Sequence, residues 1–376
     1  MCILDLCFFD IIMNKNFLAK ILLLQAGLLF LGASCVSFNG SSNKQVATTG
    51  AGFYLSKDSG ETWRQITTMP TAQGVKSLTG VSVYDLVEDK NDNNALYWLT
   101  RDRGLFYSYD DGASWSQSVA PLNTGFVYGI TINPRDNCTI FATNGRQILR
   151  TTDCNRTWKE VYRESVTSRF FKSLAINPLP PYELLALSNS GTMLKSLDNG
   201  NSWQIAHDFG APVERIVFDY NKKGMVFIAS QNGGLLRSLD SGKTWENLKP
   251  KLKPFAGALS YRRLYIHPLN GGQLYWISKF GILVSKNGGD DWDPINLITP
   301  PGGATIYAFG VNPKKDNEIY YTSTVGARST FYKTVDGGKT WVTRKMPSPQ
   351  IPTAMRIDPV NNSWIYLGFT IPPAKK

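Results

Sequence analysis

Histidine is nearly absent: His207 and His267 are the only two among 376 residues. Neither lies near other metal-ligand residues, so a metal site, a cofactor or a histidine-based catalytic triad is not expected. There is no run of five or six basic residues and no nucleic-acid-binding module. Lys plus Arg nevertheless total 40 against 29 for Asp plus Glu, a net charge of +11. Nucleic acid is thereby set aside, and lipid headgroups, acidic glycans and acidic proteins remain as anionic partners. Beyond the first 34 residues no segment sustains a 3.6-residue apolar period, which excludes a helical architecture. What the chain has instead is 33 glycines, 20 prolines and many aromatics, with Phe 19, Tyr 17 and Trp 10, a composition suited to short strands and turns.

The N-terminus reads as an address. Residues Phe17 to Ser34 form an apolar stretch interrupted by Lys20, whose uncharged core is too short to span a bilayer. We therefore expect a signal peptide over 1–34, with translation starting at Met13 because Asp5 and Asp10 occupy the place of a positive leader. Leu31 to Cys35 resembles a bacterial lipoprotein processing site, although the leucine sits one step further out than usual. That resemblance implies lipidation of Cys35, anchoring to the outer side of a bacterial membrane and a polar tether over 35–50. The alternative is ordinary cleavage and secretion.

One octapeptide recurs seven times, as Ser/Thr, any, Asp, any, Gly, any, Thr/Ser, Trp. The copies end at Trp63, Trp115, Trp158, Trp203, Trp245, Trp292 and Trp341 and carry Asp58, Asp110, Asp153, Asp198, Asp240, Asn287 and Asp336 at the third position. Successive tryptophans are 52, 43, 45, 42, 47 and 49 residues apart, about the length of one four-stranded propeller blade. Upstream of each copy lie short β-rich runs, such as YGITINP, TIFATN and QILRT before Thr151.

The octapeptide resembles the Asp-box, or bacterial neuraminidase repeat, of sialidases, sortilin-type receptor domains, xyloglucan-degrading enzymes and photosystem assembly-factor propellers. The resemblance implies an all-β, seven-bladed propeller over 51–371, with a short tail over 372–376. Its first strands, GFYLS (Gly52 to Ser56), are only the outer half of a blade, and its last, AMRIDP and WIYLGF, only the inner half; joining them completes the seventh blade and removes an open edge. The box acids are then turn-makers, accepting bonds from amides a residue or two ahead, and not catalysts. Asn287 with Asp291 is expected to weaken one box, whereas Asn155 in place of glycine is tolerable. Cys138 and Cys154 fall at the same end of one blade, so we expect a disulfide between them; two buried free thiols are the alternative.

Aligning the innermost strands places Tyr84, Tyr128, Lys172, Glu214, Arg262, Tyr307 and Thr353 at their entrances, followed by Asp85, Gly129, Ser173, Arg215, Arg263, Ala308 and Ala354. Three arginines and three tyrosines near one mouth suit an acidic or sugar-like ligand. The competing expectation is a solvated rim with local ion pairs such as Glu214 with Arg262. A sialidase-type Phe/Tyr-Arg-Ile-Pro strand is lacking, and no paired carboxylates can be placed. The leading expectation is a non-enzymatic extracytoplasmic binding or assembly scaffold facing a protein or glycan partner, with a glycoside hydrolase as the alternative.

Overall fold

Each octapeptide folds as a tight turn between two strands, and its hydrogen bonds explain the residue types. In the first copy, the Ser56 hydroxyl donates to Asp58 Oδ1 (2.7 Å) and accepts the Gly60 amide (2.8 Å). Asp58 Oδ1 also accepts the Thr62 amide at 2.9 Å, and Oδ2 accepts the Thr62 hydroxyl at 2.6 Å. The carboxylate thus reaches four residues ahead, beyond the residue or two expected, and closes the turn from inside. Gly60 is needed twice over: its φ is 91°, and a Cβ there would come within 2.7 Å of Phe331 in the neighbouring blade. Asn155, at φ 68°, takes the same place in another copy and donates its side-chain amide to the Tyr109 hydroxyl at 2.9 Å.

The copy at Ser285 to Trp292 corrects an expectation. Asn287 Oδ1 accepts the Asp291 amide at 3.0 Å, and Asn287 Nδ2 donates to Asp291 Oδ2 at 2.9 Å. Donor and acceptor have exchanged places relative to the Asp58–Thr62 pair, so the two departures compensate each other and the box is intact.

The computed structural model describes residues 50–372. The expected signal peptide, the Met13 start, the Cys35 lipidation site, most of the tether and the last four residues lie outside that range. Within it are seven four-stranded antiparallel sheets and one two-stranded hairpin. We number blades 1 to 7 by their innermost strands: Asp85–Glu88, Gly129–Asn133, Phe171–Ile176, Arg215–Phe218, Tyr261–Ile266, Thr305–Asn312 and Ile351–Ile357. The chain is a seven-bladed β-propeller. Blade 7 pairs Ile365–Thr370 with Gly52–Ser56, from Gly52↔Phe369 to Ser56↔Ile365, so its outer strands come from the start of the fold and its inner ones from the end. The hairpin, Thr68–Thr71 with Gly74–Ser77, lies in the connection from blade 7 to blade 1 and accounts for the 52-residue interval.

There is no single core. Seven hydrophobic clusters fill the seams between adjacent blades, and each contains or packs against one box tryptophan. Trp115 of blade 1 stacks on Phe53 of blade 7 (5.8 Å), and Trp245 of blade 4 meets Phe209 of blade 3 edge-on (5.3 Å). Cys138 and Cys154 of blade 2 form a disulfide, with Cα atoms 4.1 Å apart, tying the turn after the innermost strand to the box.

Candidate functional site

All seven innermost strands enter the central channel from the same end, because the four strands of every blade alternate direction. The interblade connections and the loops from second to third strands therefore share one face, and the boxes occupy the other. Residues aligned from sequence share register there: Asp85 pairs with Leu99, Arg215 with Ala229, Arg263 with Ile277 and Ala354 with Gly368.

Two of the three arginines are already engaged. Arg215 Nη1 contacts Asp85 Oδ2 at 3.0 Å, and Arg263 Nη1 contacts Asp85 Oδ1 at 3.3 Å. Arg263 also donates to the carbonyls of Tyr307 (3.2 Å) and Thr353 (2.8 Å). Blades 1, 4, 5, 6 and 7 are thereby tied together across the mouth. Burial would raise the Asp85 carboxyl, but the two guanidiniums outweigh it and hold it below the usual carboxylate range. Glu214 pairs with Lys172 of the preceding blade at 2.7 Å, not with Arg262 of the following one as expected. Arg262 is left exposed, and its only partner among the described residues is the Tyr261 carbonyl at 3.3 Å.

Tyr84 and Tyr128 belong to an aromatic arc over blades 1 to 3. Tyr84 meets Phe126 edge-on at 4.7 Å, Phe126 stacks on Tyr128 at 3.8 Å, and Tyr128 leans on Phe170 at 5.3 Å. Arg101 lies over Tyr84 (5.2 Å) and Phe126 (5.3 Å). Tyr307 stands apart on blade 6, 38% exposed. Sequence alignment of the strands missed Arg101, Phe126 and Phe170, which sit in loops. One signal was available: a phenylalanine stands two residues ahead of the entrance position in both blade 2 and blade 3.

Below the mouth the channel encloses about 440 Å³. Its far end holds Glu88, paired with both Lys90 and Arg356, and Arg356 also faces Asp358 at 3.6 Å. Burial opposes ionisation of Glu88, yet its two cations bring the carboxyl down to about 2. Burial pushes the nearby Tyr220 phenol up to about 12.

The Sortilin-Vps10 family profile (sortilin, neurotensin receptor 3) matches residues 51–177, which take in the closing outer strands, the first two blades and the innermost strand of the third. Among solved structures, the chain is similar to the GH74 xyloglucanase of Xanthomonas campestris, with a TM-score of 0.60 and 15% identity over 82% of this chain and 52% of that one. The GH74 enzyme of Niastella koreensis gives 0.60 and 17% over 77% and 51%. YCF48 bound to a D1 peptide gives 0.58 and 16% over 81% and 95%. These solved structures share the propeller fold of this chain. The chain spans about half the length of the two GH74 enzymes. No curated protein matches.

The fold by itself does not separate hydrolysis from binding, so the side chains must. Glycoside hydrolysis needs a protonated acid set against a second carboxylate across the scissile bond. Asp85 and Glu88 are both held ionised between cations. Asp89, whose carboxyl burial raises, lines the far end of the cavity almost wholly buried; its Oδ1 accepts the Asn91 amide at 2.8 Å and its Oδ2 has no partner, and no cation faces it among the described residues. Glu214 is bound to Lys172. Among the described residues no cluster of three metal-ligating side chains occurs.

Proposed function

We propose that this propeller is a non-enzymatic binding or assembly module, exported and lipid-anchored through Cys35, whose mouth grips an acidic segment of a protein or glycan. The observation that carries this reading is the division of labour at the mouth: Asp85 and Glu214 are each held by cations, while Arg262 remains outward and Arg101 lies over the half-buried ring of Tyr84. Such a surface recognises charge and flat apolar groups, and the two carboxylates at its entrance are occupied by ion pairs. YCF48, which has this fold, is seen with a peptide bound, in keeping with a binding role.

The test is crosslinking with mass spectrometry on membranes, comparing the native chain with Arg101→Ala and Arg262→Ala. Capture of one partner, reduced about tenfold or more in the double variant, is the expected result, since two charged anchors contribute roughly 1.5–3 kcal/mol each. A panel of fluorogenic glycosides separates the hydrolase reading: turnover abolished by Asp85→Asn or Glu88→Gln would replace the scaffold.

A further inference from the structure

The two faces of the ring carry opposite charge. In the interblade connections and the loops from second to third strands, the described residues include ten basic and three acidic side chains. On the box face, the octapeptides and the turns from first to second strands hold ten basic and fifteen acidic ones. All three acids on the entrance face meet a cation: Glu164 faces Arg169 (3.6 Å), Glu214 faces Lys172 (2.7 Å) and Asp102 faces Arg103 (3.7 Å). Lys251, Lys253, Arg262, Lys279, Arg328 and Lys345 are exposed there with no carboxylate partner among the described residues. They are spread over blades 4 to 6 from mouth to rim and not gathered at the channel.

The path of the chain supplies a second, independent observation. Gly52 begins the third strand of blade 7 at this same face, and the Gly50 carbonyl accepts a bond from the Ser348 hydroxyl in the connection from blade 6 to blade 7. Residues 1–49, with their apolar stretch at 17–34, therefore join the ring on its cationic side.

We propose that the entrance face docks flat on an anionic lipid bilayer. A plane of separated cations matches a plane of headgroup phosphates better than it matches one acidic side chain, and attraction across a Debye length acts on all of them together. The acidic excess of the box face opposes the reverse orientation. The mouth opens on this face and Arg262 belongs to both surfaces, so docking on a bilayer and capture of a ligand at the mouth exclude one another at any one moment.

The full chain is mixed with vesicles of phosphatidylcholine alone or of phosphatidylcholine with phosphatidylglycerol, and lysine acetylation is mapped by mass spectrometry. Any N-terminal anchorage acts on both vesicle types, so the difference between them reports the face. Labelling at Lys251, Lys253 and Lys279 is expected to fall at least about threefold on anionic vesicles and to recover in high salt, while Lys222, Lys223 and Lys339 on the box face are unchanged. Equal labelling of the two faces, protection equal on both vesicle types, or protection as strong from a soluble acidic polysaccharide would each overturn the bilayer as the occupant.

Discussion

At the scale of single residues, the turns show how different side chains meet one geometric demand. The turn after each innermost strand is closed by an acceptor two residues before an amide: Asp89, Asn133, Asn177, Asp219, Asn312 and Asp358 use Oδ1, and His267 uses Nδ1, accepting the Leu269 amide at 3.2 Å. An imidazole can accept there only while Nδ1 is unprotonated, and burial further disfavours the cation, lowering its pKa. The unfolded chain therefore takes up a proton that the fold resists. Stability is full above about pH 6.5 and declines as pH falls below it. His267→Asn is expected to fold as well at neutral pH and to flatten that part of the thermal-stability profile; an unchanged profile would assign the pH dependence elsewhere. In the exchanged box, Asn287→Asp alone sets two carboxylates face to face and is expected to cost about 1–2 kcal/mol in urea unfolding, with Asn287→Asp/Asp291→Thr restoring it. The compensation was visible in the letters of this octapeptide, but only the donor and acceptor assignments show that the two changes belong together.

At the scale of elements, a box is a small cooperative unit. Its hydroxyl at the first position serves both the carboxylate and the glycine amide, as Ser238 does with Asp240 (2.7 Å) and Gly242 (2.8 Å). Ser238→Ala leaves a buried amide without an acceptor, and the expected loss is about 1–3 kcal/mol by chemical denaturation. Burial works against ionisation of Asp58 and Asp240, but their hydroxyl and amide donors bring both to about 2. The folded state thus binds fewer protons than the unfolded chain below about pH 4, and this contribution is kept above that pH and lost as pH falls toward 2. The Cys138–Cys154 bridge closes a separation of 16 residues. Replacing both by serine is expected to lower stability by about 3 kcal/mol without changing the strand content seen by circular dichroism. The strand order and the box turns were legible because a 46-residue period repeats the same pattern with few exceptions. The hairpin at Thr68–Ser77 was not, since it belongs to no repeat.

At the scale of the whole molecule, stability resides in seven seams and one closure. Deleting the chain from Ile351 onward removes both inner strands of blade 7 and leaves Gly52–Ser56 without its partner along an open edge. We expect the truncated ring to lose its cooperative thermal transition and to self-associate in light scattering. Closure also makes the mouth: Asp85 reaches Arg215 and Arg263 only because blade 1 is brought opposite blades 4 and 5.

The repeat, its spacing and the split halves at the two ends were enough to specify a closed ring of seven blades, because local turns and strand lengths recur whatever the rest of the chain does. The alignment of the entrance residues followed from the same regularity. Which of those residues remain available did not. Ion pairing at the mouth depends on distances between blades more than a hundred residues apart, as between Asp85 and Arg215. Only the assembled ring decided that two arginines are spent on one carboxylate, that Lys172 takes Glu214 and that Arg262 faces solvent. Electrostatic partnership is a property of three-dimensional proximity, which no spacing along the chain records.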